Sequence, residues 1–249
     1  MVLPPGFLAR PLAHRGLHDR AFGRPENSRA AVVAAVAAGY GIEIDLQLSA
    51  DGRAMVFHDD MLDRLTEATG PIRERGAREL AGIMLRGASE GVPEFGGILR
   101  LVAGRVPLLV EIKEQGAGPE SEALARAAAQ AAAGYDGPLA FMSFDPQAMI
   151  ALGTRAPGVT RGLTTCAFSA ADWPDLPPRT RARRAGIVDL EAAGASFISH
   201  DRRALHMPRV SAIRAAGLPV LCWTIRSPAE EAEARRLADN VTFEGYLPV

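Results

Sequence analysis

The feature that most constrains the fold is an alternation of short apolar, β-branched runs with stretches of helical pattern. Such alternation is typical of βα units around a parallel sheet. The runs predict strands at residues 11–14, 42–48, 53–58, 107–113, 139–144, 161–165, 196–200, 219–225 and 241–244. This is one strand more than an eight-stranded barrel uses. The surplus is explained by "SADGR" between the second and third strands, which suits an antiparallel hairpin and is too short for a parallel crossover.

Helical patterns fall between these strands, and several begin with Pro or Ser and end before Gly. They predict helices at residues 28–38, 120–133, 146–154, 208–216 and 228–238. A chain of 249 residues also has the size of one barrel, about 250 residues. We therefore expect an α/β fold, a TIM-type (β/α)8 barrel, as a single domain over residues 1–249. The irregular stretch at about 59–105 predicts a small insertion after the hairpin.

Composition excludes several functional classes. The net charge of −1, from 28 basic and 29 acidic residues, provides no general field for nucleic acid or an anionic membrane. The longest apolar run, 30–38, is far below the ~20 residues that span a bilayer, so no stable membrane insertion is expected. Two cysteines, Cys166 and Cys222, do not form a disulfide framework. We expect a cytoplasmic protein; the sequence leaves its oligomeric state open.

Three carboxylates predict a metal site. Glu43 and Asp45 alternate with apolar residues on one strand, so both side chains point to the same face. Glu111 ends another strand, and the carboxyl ends of barrel strands are where active sites form. Burying such carboxylates without compensation would cost several kcal/mol. An all-oxygen set suits one Mg²⁺ or Ca²⁺ better than Zn²⁺.

Two histidines lie at neighbouring strand ends. His14 ends the first strand, and a two-residue turn at Asp51-Gly52 would place His58 opposite Asp45. A longer loop would shift this pairing by a residue or so, and either way the hairpin brings His58 close to the carboxylate pair. Imidazole titrates near neutral pH, so the pair suits general acid/base chemistry at phosphorus. Arg15 and Lys113, the only lysine of the chain, would bind the phosphate.

Other polar residues are interpreted more simply. We interpret Asp59, Asp60 and His18 as loop residues and His206 as a residue approaching a helix, while His200 is either structural or at the rim of the site. Trp223 is either a core aromatic or a platform for an apolar part of the substrate. Cys222, Phe57 and Leu221 are interpreted as core residues.

With these motifs in place, the chain resembles the glycerophosphodiester phosphodiesterases. The resemblance covers nearly the whole chain, from "AHRGLHDRAFGRPENSRAA" and "GIEIDLQLSADGRAMVFHDD" to "VPLLVEIK", "SFDP" and "PVLCWTI". It implies hydrolysis of a glycerophosphodiester to glycerol 3-phosphate and an alcohol, with Mg²⁺ or Ca²⁺. The residue roles it implies are an acid/base pair (His14, His58), metal ligands (Glu43, Asp45, Glu111), phosphate-binding residues (Arg15, Lys113), a residue near the metal (Asn27) and one beside the glycerol (Trp223).

One position departs from the family pattern. The family commonly has Thr-Asp-x-Pro on its last strand, whereas this chain has "TFEGYLP", with Glu244 in place of the aspartate. The carboxylate is kept but reaches one methylene further.

Two alternative functions remain open at this level. A related barrel phosphodiesterase could act on lysophospholipids or inositol phospholipids, which would favour an exposed apolar rim. A non-catalytic phosphate-binding barrel would have no need of an acid/base pair.

Overall fold

The computed structural model describes residues 2–116 and 119–248. The strands in these residues are β1 (Leu12–Ala13), β2 (Gly41–Leu48), β3 (Ala54–Val56), β4 (Leu108–Ile112), β5 (Leu139–Ser143), β6 (Thr160–Thr165), β7 (Ile198–Asp201), β8 (Val220–Ile225) and β9 (Asn240–Phe243). The α-helices are α1 (Gly6–Ala9), α2 (Arg29–Ala38), α3 (Ala77–Leu80), α4 (Phe95–Val102), α5 (Pro119–Ala132), α6 (Pro146–Arg155), α7 (Pro178–Ala185), α8 (Pro208–Ala215) and α9 (Pro228–Ala234). Short 3₁₀ helices occupy Arg20–Phe22, Ile72–Glu74 and Arg202–Ala204.

Every strand except β3 pairs in parallel, and the sheet closes on itself. The order is β1-β9-β8-β7-β6-β5-β4-β2, and β1 also pairs with β2. The antiparallel strand β3 adds to β2 outside this ring. The structure therefore confirms the predicted (β/α)8 barrel, the hairpin and the insertion that follows it.

The hairpin register is shifted by one residue from the predicted one. Ser49 donates to the Arg53 carbonyl at 3.0 Å, which leaves a three-residue loop whose last residue, Gly52, has φ +75°. A three-residue loop ending in a left-handed glycine is a common hairpin connection. Leu46 consequently pairs with Val56. Asp45 therefore lies opposite Phe57, whose N–H donates to the Asp45 carbonyl at 3.1 Å, and not opposite His58 as a two-residue turn would require.

Strand alternation divides the buried residues into two layers. Ile42, Ile44 and Leu46 point outward and pack in the main core with the helices. The opposite face of the strands lines the barrel, where Leu12, Leu109, Ala140, Phe197 and Leu221 form a separate core closed at the amino end by Phe7 of α1. Glu111 and Lys113, two and four positions after Leu109, point to the same interior face. This alternation puts polar side chains inside the carboxyl end of the barrel.

The segment between β3 and α4 has its own small core. It consists of Met55, Phe57, Leu62, Leu65, Ile72, Leu80, Leu85 and Val92. Helix α4 lies within the range 59–105 by sequence, but its apolar residues pack in the main core with the other barrel helices. The separately packed part of the insertion therefore ends before Phe95.

Candidate active site

The three carboxylates meet inside the carboxyl end of the barrel. Asp45 on β2 pairs in register with Glu111 on β4, and Glu43 precedes Asp45 on the same face. Carboxylate oxygens of all three residues lie within 4.8 Å of one another, at exposures of 2%, 1% and 6% for Glu43, Asp45 and Glu111. Burial, reinforced by the other two carboxylates, raises the pKa of Glu43 well above its ordinary value. The negative charge of the three carboxylates is therefore not fully neutralised.

Two cations border the cluster. Lys113 Nζ lies 2.9 Å from Asp45 Oδ1 and 2.7 Å from Glu111 Oε1. Arg15 Nε lies 3.4 Å from Asp45 Oδ2. Burial opposes ionisation of Asp45, but Lys113 and its other cationic neighbours outweigh burial and hold the pKa of Asp45 far below its usual range. Three carboxylates against two cations leave an excess negative charge, and oxygen donors match a hard divalent cation. The residues fit such an ion.

A left-handed turn after β1 brings Arg15 to the carboxylates. Arg15 and Gly16 have φ values of +54° and +79°, and a Cβ on Gly16 would lie 2.9 Å from the Ala31 backbone. The turn points the Arg15 backbone N–H at Glu43 Oε2, 3.0 Å away. The glycine of the His-Arg-Gly motif is thus required by both conformation and packing.

Asn27 holds Asp45 from the other side. It also has a positive φ, +59°, and its amide nitrogen donates to Asp45 Oδ2 at 2.9 Å. Its amide oxygen accepts from the Asp45 backbone N–H at 3.2 Å. The first hydrogen bond fixes the carboxylate and the second fixes the backbone that carries it, so the buried Asn27 (1% exposed) orients Asp45.

His14 is held by Glu244, across the junction of the first and last strands. His14 Nδ1 lies 2.5 Å from Glu244 Oε2, and His14 Nε2 lies 3.9 Å from Glu43 Oε2. The Glu244 carboxylate also accepts from Arg226 Nε at 2.8 Å. Hydrogen bonding to His14 and His18 outweighs burial and lowers the pKa of Glu244. With Nδ1 on the carboxylate, His14 presents Nε2 to the site.

His58 has an equivalent partner in Asp59. His58 Nδ1 lies 2.7 Å from Asp59 Oδ1. Arg64 of the insertion donates to both oxygens of Asp59, at 2.6 and 2.8 Å, and to both oxygens of Glu26, at 2.8 and 2.9 Å. Despite partial burial, hydrogen bonds from Arg64 and His58 lower the pKa of Asp59 to about 2.

Glu26 continues this chain of ion pairs to Arg15. Its Oε1 lies 2.5 Å from Arg15 Nη1. Through Arg64 and Glu26, the insertion therefore links His58 to the arginine at the carboxylate cluster.

A cavity of about 200 Å³ opens above the cluster. Its lining combines the polar residues above with an apolar wall of Met142, Phe144 and Trp223, whose two aromatic rings meet edge to face at 5.6 Å. Trp223 Nε1 donates to the Ser199 carbonyl at 2.9 Å, which fixes a half-buried ring at the cavity edge. The structure thus places Trp223 in the cavity wall.

Comparison with known proteins identifies the family of the chain. The sequence profile of the glycerophosphoryl diester phosphodiesterase family matches residues 14–241. The chain belongs to this family. Its sequence is 34% identical over 110 residues to a glycerophosphodiester phosphodiesterase of Caldanaerobacter subterraneus and 42% identical over 71 residues to glycerophosphodiester phosphodiesterase 1 of Bos taurus. These alignments cover 41% and 28% of this chain and only 44% and 20% of the two relatives.

Solved structures match over nearly the full length. An Oleispira antarctica phosphodiesterase, solved in complex with the product sn-glycerol-3-phosphate, is 26% identical with a TM-score of 0.76, covering 96% of this chain and 93% of that chain. A glycerophosphodiester phosphodiesterase from Agrobacterium tumefaciens is 25% identical with a TM-score of 0.67, covering 94% and 95%. Among residues 2–116 and 119–248, no helix is long and apolar enough to cross a membrane.

All the site residues predicted from the sequence lie together at this end of the barrel. The other residues considered in the sequence analysis have different positions. His200 is fully buried between Thr165 Oγ1 and the Ala204 carbonyl, so it is a structural residue. His206 is exposed beside α8. Cys222, Phe57 and Leu221 are core residues as predicted, each at 0% exposure. His18 lies outside the helices and strands, as predicted, and its Nε2 is 3.6 Å from Glu244 Oε2.

Sequence reasoning missed the residues that orient His58 and link it to Arg15. Asp59 was interpreted as a loop residue, and Arg64 and Glu26 received no role. The donor and acceptor groups of these residues meet only when the insertion folds. Glu26 and Arg64, for example, are 38 residues apart in the sequence. The one usable signal was that Asp59 directly follows His58.

Proposed function

We propose that this protein hydrolyses glycerophosphodiesters to glycerol 3-phosphate and an alcohol, by acid/base catalysis with His14 and His58. The observation that carries the proposal is the arrangement of these histidines. Each has Nδ1 on a carboxylate and lies beside the same buried carboxylate cluster. A site that only bound phosphate would need no such pair. Family membership and the glycerol 3-phosphate bound in the Oleispira protein support the same reaction.

The proposal includes one divalent cation, Mg²⁺ or Ca²⁺, held by Glu43, Asp45 and Glu111. The support is the donor set, three buried carboxylates with more negative charge than Arg15 and Lys113 neutralise. When bound, such an ion stabilises the negative charge that develops on the phosphoryl oxygens.

Arg15 and Lys113 would bind the phosphate. Arg15 Nε is buried and has no hydrogen-bond partner in the described part of the chain, although it borders the cavity. A buried donor without a partner is costly, so a phosphate oxygen at this point would satisfy it. The cavity also holds two buried hydroxyls without partners among the described residues, those of Thr164 and Thr242. Together with Trp223, these hydroxyls would accommodate the glycerol.

The chemistry follows from the position of the two Nε2 atoms. Trp223 and Thr242 lie on β8 and β9, next to the strand of His14, so the glycerol would lie on the His14 side. His14 would take the proton of the 2-hydroxyl as its oxygen attacks phosphorus, while His58 gives a proton to the departing alcohol oxygen. Water would then open the cyclic phosphate, with the proton transfers reversed. Undiminished turnover of a diester that lacks the 2-hydroxyl would exclude this route.

The decisive experiment is incubation of the purified protein with glycerophosphocholine and glycerophosphoethanolamine. Release of glycerol 3-phosphate would be followed with EDTA and after addition of Mg²⁺ or Ca²⁺. We expect release to stop in EDTA and to return with one of the ions. No release with either ion would contradict the soluble-diester function, and lysophospholipids would then be tested.

The cellular setting is part of the same proposal. Both cysteines are free and buried, which suits a reducing compartment, and we place the protein in the cytoplasm, in lipid and glycerol metabolism.

A further inference from the structure

A second cavity, of about 370 Å³, lies between the insertion and the segment that follows β4. We call it the side cavity. Its lining includes Gln47, Asp60, Met61, Ile72 and Gln115. None of these residues belongs to the cluster of carboxylates and histidines described above, so the side cavity has no role in the chemistry derived so far.

The side cavity begins where the active site ends. Gln47 follows Asp45 by two residues on the same face of β2, a step of about 6–7 Å along a strand. The buried Gln47 amide donates to the His58 carbonyl at 3.1 Å and accepts from Gln115 Nε2 at 2.6 Å. The side cavity therefore adjoins the active site on the side of His58, and Trp223 is not part of its lining.

Two acceptors in the side cavity have no donor among the described residues. Asp60 Oδ1 accepts from Gln47 Nε2 at 2.9 Å, whereas nothing donates to its second oxygen. Gln115 uses its Nε2 as a donor and leaves Oε1 without a donor. An occupant of this space would therefore be recognised by the hydrogen-bond donors it carries.

The charge in the lining favours a cation. Asp60 is an exposed carboxylate without an ion-pair partner among the described residues. Glu114, the other carboxylate of the lining, is neutralised by two hydrogen bonds of 2.9 Å from Arg184. Arg73 also lines the cavity but already has an interaction of its own. Asp60 thus supplies the uncompensated charge.

We propose that the side cavity binds the leaving alcohol of the diester and favours a primary ammonium group on it, as in an ethanolamine head group. Asp60 is the specificity-determining residue, and Gln115 Oε1 accepts a further N–H. The proposal rests on the proposed function, because it assigns the second arm of the diester whose glycerol lies beside Trp223. It also makes His58, on the side of the cavity, the residue that protonates the alcohol.

The test compares kcat/KM for glycerophosphoethanolamine and the uncharged glycerophosphoglycerol. We expect the wild-type protein to prefer the ethanolamine diester. In Asp60→Asn, which keeps the hydrogen bond from Gln47 but removes the charge, kcat/KM for the ethanolamine diester should fall roughly three- to tenfold, mostly through KM. The value for glycerophosphoglycerol should change less than about twofold. Glu67→Gln is the matched control, since it removes a carboxylate of the same insertion that is 82% exposed and pairs with Arg86.

The failures of the two proposals differ. Equal losses for both diesters in Asp60→Asn would mean that Asp60 acts on His58 and not on the alcohol, and would overturn the assignment of the side cavity. An unchanged preference would overturn it as well. If the wild-type protein cleaves no diester with any ion, the proposed function fails, and the assignment of the leaving alcohol fails with it.

Discussion

Each histidine of the site has one nitrogen committed to a carboxylate. Nδ1 of His14 faces Glu244 and Nδ1 of His58 faces Asp59, which leaves Nε2 of both rings for proton transfer. The carboxylates fix ring orientation and tautomer, as partners of catalytic histidines do elsewhere. Burial, partly offset by the hydrogen bond to Glu244, lowers the pKa of His14. A neutral His14 at neutral pH suits the base, which supports the order of proton transfers proposed above.

Replacing either histidine should remove acid/base catalysis. We expect His14→Ala and His58→Ala to lose about 10²–10⁴ in kcat while remaining folded. A diester with an activated leaving group, such as a nitrophenol, needs no protonation of that group. It should restore turnover in His58→Ala but not in His14→Ala.

Circular dichroism and unfolding curves would confirm that these variants fold, and His206→Ala provides the control at an exposed histidine. Equal rescue of both variants by the activated diester would contradict the assignment of acid and base.

The insertion contributes to the site through one arginine. Arg64 makes paired hydrogen bonds with Asp59 and with Glu26, and so it sets the position of His58 and Arg15 together. We expect Arg64→Gln to lower kcat about tenfold, with little change in stability because the side chain is 48% exposed. Without Arg64 the pKa of Asp59 rises from about 2. Protonation of Asp59, which releases His58 Nδ1, should therefore lower kcat at a higher pH than in the wild-type protein, on the acid side of the limb that the base His14 sets.

Arg53→Gln is the matched control for this prediction. Arg53 is 59% exposed, lies at the edge of the insertion and pairs with Glu94, away from both histidines. It should leave kcat and the pH profile unchanged. If Arg64→Gln changed stability but not the pH profile, Arg64 would be a structural residue only.

The strands could be predicted from the sequence because their apolar runs are short and bounded by turns. Four α-helices could not. Helices α1 and α3 have only four residues each, and α7, "PRTRARRA", has no buried residue and so no apolar stripe. Helix α4 does have an apolar stripe, with Phe95, Ile98, Leu99 and Val102 buried, but its two adjacent glycines disfavour a helix. The hairpin register was missed because Asp-Gly fits both a two-residue and a three-residue loop, and the backbone decides between them.

At the site, the strand period alone predicted that Glu43 and Asp45 share a face, and the structure brings them together with Glu111. Local patterns could not show that Glu244, 230 residues from His14, would close onto it, because the contact depends on β1 pairing with β9. Long-range contacts of this kind follow from barrel closure and not from spacing.

The carboxylate cluster links metal binding to the stability of the whole molecule. An ion that binds only the folded chain stabilises it by about 2.7 kcal/mol at 100 times its Kd, which corresponds to a rise in Tm of about 5–10 °C for a chain of this size. We expect Mg²⁺ or Ca²⁺ to produce such a shift. Glu43→Gln should abolish most of the Tm shift caused by the ion. In EDTA this variant should have a higher Tm than the wild-type protein, because it removes a carboxylate whose pKa is already raised by burial and by Asp45 and Glu111. Equal shifts in both proteins, measured by calorimetry, would place the ion elsewhere.

His200 should make the whole barrel sensitive to acid. Its Nε2 faces the Ala204 carbonyl at 3.2 Å and must donate, so Nδ1 accepts from the Thr165 hydroxyl at 2.7 Å, and the neutral ring is fully satisfied. Burial lowers the pKa of His200 to about 4, against 6.5 in an unfolded chain. Between these values the unfolded chain binds more protons than the folded one, so stability falls as the pH falls. At pH 5 the loss relative to pH 7.5 should be about 2 kcal/mol from this residue. Urea unfolding at both pH values should show that loss in the wild-type protein but not in His200→Gln, whatever the absolute stability of the variant. The same pH dependence in both proteins would assign the acid sensitivity to the carboxylates instead.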